Sequence, residues 1–283
     1  MTETLAFTLR LPAPVERVHT ALTDPAELRT WFAEHAEVAL PDTYAFWGRH
    51  TVAGAEPAQR PLTVDATTVR FAWTIEGTET TVELALKPEG DETLLSLTQT
   101  EFPGWGAVAG GDGGTIGLTG TFWALALANL ADHLAGRELG PLPDFTATDL
   151  RAEYLIDAAP EKVYRALMDP AEFVEWFNAP MELEPRVGGR WAMGGFEHNP
   201  NPATITELEP DRRITVDFGA GLGQSTWELA ESGGKTRLTF SQSGFDPQDM
   251  PWAGWMGWIS GFAELRRYVE LDPWTPLWAD AGV

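Results

Sequence analysis

The sequence predicts an α+β protein built from two copies of one fold, each an antiparallel sheet packed on a helix that closes the copy. Three observations carry this expectation. The phrase DPAELRTWF at residues 24–32 returns as DPAEFVEWF at 169–177, 145 positions later. The similarity also extends well beyond the phrase. APVERVHTALTDPAELRTWF (13–32) lies over AAPEKVYRALMDPAEFVEWF (158–177) without a gap, TLLSLTQTEF (93–102) over TRLTFSQSGF (236–245), and TFWALALANLADHL (121–134) over MGWISGFAELRRYV (256–269). Such a unit is far longer than the 20–50-residue repeats of solenoids, so it is a duplicated domain. Finally, 283 residues, 43% of them hydrophobic, suffice for two cores at roughly 100–200 residues per domain. Gly and Pro interrupt the pattern in GPLPDFTATD (140–149), which sets expected domains of 1–143 and 144–283.

Each copy opens on a short alternating strand, with Leu5, Phe7, Leu9 and Leu11 in the first and Tyr154 and Ile156 in the second. Two short helices follow. Asp24 and Asp169 suit the N-cap, Pro25 and Pro170 the first helical position, and Glu27 and Glu172 the third position of a capping box. Leu28, Trp31 and Phe32, like Phe173, Trp176 and Phe177, then fall at i, i+3 and i+4 and make one apolar face. The repeated phrase is therefore a capped helix with an aromatic anchor, and its acids are not catalytic. Strands come next: TVRFAWTIEG, TTVELALKP and TLLSLTQTEF in the first copy. The second has GGRWAMGGF, PATITELEP, RITVDFGAG, STWELAES and TRLTFSQS. A longer helix ends each copy. Between the last strand and that helix, GWGAVAGGDGGTIGLTG (104–120) is expected to be a mobile cover on the first domain.

Charge and composition exclude several functions. The net charge of −23 is shared almost evenly, −12 over residues 1–145 and −11 over 146–283, with no basic stripe. Such a surface repels phosphate backbones, so neither nucleic acid nor an anionic membrane is an expected partner. The absence of cysteine removes disulfides, thiolate metal sites and cysteine nucleophiles. No uninterrupted apolar run approaches the ~18 residues of a membrane span, and the opening MTETLAFTLRLP lacks the basic start of a signal peptide. A cytoplasmic location is expected. The five histidines are scattered, no H-E-x-x-H or G-x-S-x-G occurs, and the glycine-dense stretch lacks the GK[ST] of a phosphate loop. No metal, cofactor or catalytic residue is assigned on these grounds.

PEKVYRALMDPAEFVEWF, EPRVGGRW, TRLTFSQSGF and GWISGFAELRRYVE together resemble the activator of Hsp90 ATPase homologue-like domains of the START-like (SRPBCC, Bet v 1-like) superfamily. The resemblance covers nearly all of the second copy. In the first copy the helical phrase, TLLSLTQTEF and the last helix match, whereas GGRW has no clear equivalent near TYAFWG (43–48). What the resemblance implies is a tandem helix-grip fold, a curved antiparallel sheet wrapped on a long C-terminal helix, often with an apolar cavity between them. It implies no single activity, since relatives bind hydrophobic small molecules, act on them or touch a chaperone.

Cavity candidates follow from phase. In the last helix Trp255, Trp258, Ile259, Phe262, Leu265 and Val269 form an apolar stripe, while Gly254, Gly257 and Gly261 suggest close backbone approach or space left for a ligand. Leu238 and Phe240 alternate inward and carry Gln242 with them, as Leu95 and Leu97 carry Gln99. An inward amide needs a partner, whether a ligand, a water or a neighbouring loop. Trp227 shares a face with Leu229, and Val216 with Phe218. Trp176, Trp191, Phe196 and His198 complete the set in the second copy, with Trp31, Trp73 and Trp123 in the first. The leading expectation is non-catalytic binding of a hydrophobic small molecule, chiefly in the second domain. A chaperone (Hsp90) regulating module and a cyclase- or hydrolase-type enzyme using Glu197 and His198 are the alternatives. The tail's Trp274 and Trp278 are expected to pack on the other domain or a second chain.

Overall fold

The computed structural model describes residues 2–219 and 221–279. The chain separates into two compact units, residues 1–146 with 277–283, and residues 147–276.

In the first unit the order is β1 (Glu3–Leu11), α1 (Val15–Thr23), α2 (Pro25–Trp31), β2 (His35–Ala39), β3 (Thr43–Trp47), β4 (Gln59–Asp65), β5 (Thr68–Ile75), β6 (Thr78–Glu89), β7 (Glu92–Phe102), α3 (Trp105–Ala109), α4 (Gly114–Gly117) and α5 (Thr119–Leu134). Antiparallel pairing gives the sheet order β1-β7-β6-β5-β4, with β2 and β3 in a separate hairpin. β7 shows why it is a strand: Thr93, Leu95, Leu97 and Gln99 are buried and their neighbours are not. The inner face meets α5, whose Phe122 and Trp123 pack on Trp73 of β5.

The second unit repeats the order with β8 (Leu150–Ile156), α6 (Pro160–Met168), α7 (Pro170–Phe177), β9 (Met181–Leu183), β10 (Arg190–Met193), β11 (Ala203–Glu209), β12 (Arg213–Asp217), β13 (Gln224–Ser232), β14 (Lys235–Ser243) and α8 (Trp252–Glu270). Here all seven strands join one sheet, β8-β14-β13-β12-β11-β10-β9. The α+β architecture, two antiparallel sheets each packed on a C-terminal helix, is the one the repeat predicts.

The repeated phrase is a helix start in both units. Asp24 accepts hydrogen bonds from the backbone N–H groups of Ala26 and Glu27 at 2.7 and 3.2 Å, and Asp169 accepts from Ala171 at 2.8 Å. The reciprocal half of the capping box is not made. The N–H of each Asp already donates to a carbonyl of the preceding helix, Asp24 to Thr20 and Asp169 to Arg165, because the two helices abut. Glu27 and Glu172 are thereby free to bind Arg17 and Arg165 instead. The aromatic anchors also match atom for atom. Trp31 Nε1 donates to the Ala21 carbonyl at 3.0 Å and Trp176 Nε1 to the Ala166 carbonyl at 2.9 Å.

Gly261 is explained by the same anchor, since a Cβ there would lie 2.8 Å from the Phe177 ring. Gly254 faces open space. The glycine-dense stretch expected as a cover folds into α3 and α4, with Trp105 edge-on to Phe102 at 5.2 Å. From Gly114 to Leu134 the helical run is long and apolar enough to cross a bilayer, yet 67% of its most apolar window is buried inside the protein, as befits a core helix. Leu277–Ala279, expected with the second domain, belong to the first unit. Arg10 N–H donates to the Leu277 carbonyl at 3.3 Å and Ala279 N–H to that of Thr8 at 2.9 Å, which covers the free edge of β1. Trp278 rests on Phe7 there, whereas Trp274 packs edge-on to Tyr268 in the second unit.

Candidate functional site

In the second unit the inner face of the sheet and the helices enclose an apolar pocket. Leu167 and Met168 of α6, Phe173 of α7, Trp191 of β10, Ile214 and Val216 of β12, Trp227 of β13 and Trp258 of α8 line it. Each lining side chain gets there by a local rule. Ile214 and Val216 are two apart on a strand and share a face, while Phe173 leads the apolar face of α7. Trp258 is the hub of the wall, with ring centroids 4.9 Å from Trp227, 6.0 Å from Trp191 and 5.2 Å from Phe177. The pocket is small, about 10 Å3. That is the limit for one water molecule, far below the ~300–1,000 Å3 of ordinary ligand sites.

Two polar atoms on the sheet's inner face have no partner, one on Trp227 of the pocket wall and one on Gln242, which does not line the pocket. Trp227 is 3% exposed and its Nε1 has no acceptor. Gln242 Nε2 donates to Ser225 Oγ at 3.1 Å, but the buried Gln242 Oε1 receives nothing. The first unit differs at the matching place. Gln99 is fully buried, its Oε1 accepts from Trp123 Nε1 at 2.7 Å, and its Nε2 donates to Thr80 Oγ1 at 3.0 Å. Around that pair the aromatic rings of Phe32, Phe46, Trp73, Phe122 and Trp123 pack at centroid distances of 4.7–6.0 Å.

Of the residues expected to line a cavity, Trp191, Trp227 and Trp258 do so. Phe240, Trp255 and Phe262 are buried in the same core, with Phe240 stacked on Trp255 at 5.2 Å, but stand behind the wall. Trp176 and Trp31 are buried with their N–H groups bonded to a helix carbonyl, and Trp176 does not line the pocket. Trp73, Gln99 and Trp123 are committed to the first unit's core. Two candidates stand away from the pocket. His198 and its neighbour Glu197 are exposed, because residues 194–199 form a turn in which the His198 and Asn199 N–H groups bond to the Gly195 carbonyl. Phe196 is only half-buried, with the Arg190 guanidinium 4.0 Å above its ring. Leu167, Met168, Phe173 and Ile214 were not anticipated as lining residues. For Ile214 the signal was present, since it alternates with Val216.

The GGRW segment proves to be turn chemistry on one side and pocket on the other. A Cβ on Gly189 would sit 2.2 Å from the Glu184 carbonyl oxygen, so only glycine fits. Arg190 Nη2 then donates to Glu184 Oε1 at 2.9 Å, and these bonds hold the Glu184 carboxyl below its usual range. Trp191 follows directly and faces the pocket.

Outside the pocket, one titratable cluster ties three helices of the first unit. Glu27 Oε2 lies 2.6 Å from Arg17 Nη1 and 3.0 Å from His133 Nε2. Burial alone pushes the Glu27 carboxyl up, but the hydrogen bonds from His133 and Arg17 outweigh it and hold the group below the ordinary carboxylate range. Among the described residues no group of three or more His, Cys, Asp or Glu is arranged to hold a metal ion.

The family model described as "Activator of Hsp90 ATPase homolog 1-like protein" matches the chain twice, over residues 12–135 and 157–270. No curated protein matches the sequence. Among solved structures, CalU16 from Micromonospora echinospora is 26% identical over 48% of this chain and 77% of its own, with a TM-score of 0.38. DynU16, from the dynemicin biosynthetic locus, is 17% identical over 93% of this chain and 97% of its own, with a TM-score of 0.40. An AHSA1-like protein from Rhizobium etli is 25% identical over 50% and 87%, with a TM-score of 0.37.

Proposed function

The chain belongs to the Activator of Hsp90 ATPase homolog 1-like family, and on that premise we propose that its second domain binds an apolar small molecule without converting it. One observation carries the reading: an apolar pocket between sheet and helices whose wall contains a buried indole N–H with no acceptor. Burial of apolar ligand surface supplies the affinity, at ~25 cal/mol per Å2. Because the pocket is about 10 Å3, binding requires the wall to part. Binding without conversion is favoured because the lining side chains are Leu, Met, Phe, Trp, Ile and Val, none of which exchanges protons near neutral pH. The cytoplasm is the proposed compartment, as the cysteine-free composition allows.

Titration with apolar aromatic compounds, followed by tryptophan emission, tests the reading, because three of the lining residues are Trp. Saturable change is expected in the wild type and its loss in Ile214→Phe, which fills the pocket. Native mass spectrometry of protein taken from its own cells provides the second arm. A bare mass there, together with flat titrations, would sink the idea.

A further inference from the structure

We propose that the molecule held by the second domain carries a hydroxyl group, taken by Trp227 Nε1 as donor and Gln242 Oε1 as acceptor. This rests on the pocket binding proposed above and adds the chemistry of the polar end. β13 and β14 pair Trp227 with Phe240 and Ser225 with Gln242. Trp227 and Gln242 are therefore diagonal neighbours on the same inner face, a spacing that aromatic and long side chains span. Both polar atoms are buried and neither has a partner, so each carries the cost of a hydrogen bond left unmade.

The pairing of one orphan donor with one orphan acceptor selects the ligand group. A carbonyl or an ether oxygen accepts from the indole and leaves the amide oxygen empty. An ammonium donates to the amide, brings its charge into an apolar wall and leaves the indole empty. A group that both accepts and donates serves both, and a hydroxyl does so at a single atom, which makes it the smallest such group on an apolar body and the one suited to so closed a wall. A lone water has the same polarity but would find only these two partners, at the low end of what holds a buried water, and would leave the apolar wall unused. The first unit shows the same amide in its closed state. There the oxygen of Gln99 is taken by Trp123 from within the protein. In the second unit the corresponding helix residue, Trp258, packs on Trp227 and leaves Gln242 Oε1 open.

Calorimetric titration of the full chain with naphthalene, 2-naphthol and 2-methoxynaphthalene tests this. The expected result is 2-naphthol binding about tenfold tighter than naphthalene, with the methyl ether between them. Gln242→Leu is expected to make 2-naphthol and its ether equal, and Trp227→Phe to remove the advantage of the ether over naphthalene while 2-naphthol, still donating to Gln242 Oε1, keeps part of its own. Should Trp227→Phe fail to fold, Gln242→Leu alone decides. Equal binding of naphthalene and 2-naphthol to the wild type would overturn the hydroxyl inference and leave the pocket reading intact. Equal binding of the ether and the naphthol would also overturn it, since acceptance alone would then suffice. Absence of binding by all three would overturn both. A crystal structure with a fixed water on Trp227 Nε1 and Gln242 Oε1 while 2-naphthol sits elsewhere would overturn the inference as well.

Discussion

Both domains place a glutamine at the same point of their last strand, Gln99 on β7 and Gln242 on β14, and the two cores treat it differently. In the first, the side chain is fully buried and both ends of the amide are bonded within the protein. In the second, only the nitrogen is bonded, and an indole N–H diagonal to it is unpaired as well. The residue opposite explains part of this. The position that carries Trp227 in β13 is Leu84 in β6, and its partner Phe240 is Leu97 in the first unit, so this cross-strand pair puts two rings in the second core where the first has two leucines. Trp258 packs against the Trp227 ring, whereas Trp123 is free to reach its glutamine. At this glutamine, then, the first core is closed and the second has polar capacity to spare.

The comparison can first be tested where the domains are alike. Trp31→Ala and Trp176→Ala should each cost about 3–5 kcal/mol in urea unfolding, as large core truncations that also strand a helix carbonyl. A clearly smaller loss at Trp176 would mean that the repeated phrase is not equally structural in the two copies.

A smaller effect should appear where the domains differ. Gln99→Leu leaves Trp123 Nε1 buried without an acceptor, a cost of about 1–3 kcal/mol. Gln242→Leu leaves the buried Ser225 Oγ without its partner but also removes an oxygen that had no donor, so the two effects offset and its net cost should be smaller than that of Gln99→Leu. Equal losses for the two substitutions in denaturant melts would erase the distinction between a closed and an open core.

The helix caps, the aromatic anchors and the inward phase of both glutamines were legible in the sequence, because they depend on spacing along one element. What was not legible depends on how elements meet. Strand parity placed Gln99 and Gln242 identically, but their neighbours differ, Val82, Leu84 and Leu97 in the first unit against Ser225, Trp227 and Phe240 in the second. His198 looked usable beside Glu197, but a turn closed on the Gly195 carbonyl turns that segment to solvent. The near closure of the pocket, to about 10 Å3, arises from the sum of several rings, and no single residue signals it.

The smallest expected effect lies where the first two helices meet the last. In the first domain Glu27 binds Arg17 and His133; in the second, the repeat puts Tyr268 at the position of His133, near Glu172. Burial raises the Tyr268 hydroxyl pKa and the Glu172 charge adds to this, so that tyrosine stays neutral. Because the folded-state pKa of Glu27 is lowered, its contribution is fully present above the ordinary carboxylate pKa. It is lost as pH falls through the lowered folded value. Glu27→Gln should therefore be less stable than the wild type at about pH 5.5, by at most about 1 kcal/mol for so accessible a pair. The gap should shrink towards pH 3, followed by urea midpoints at each pH. A gap that widened on acidification would show that Glu27 is not held as a carboxylate by these two partners, and the helix junctions of the two domains would then differ in packing alone.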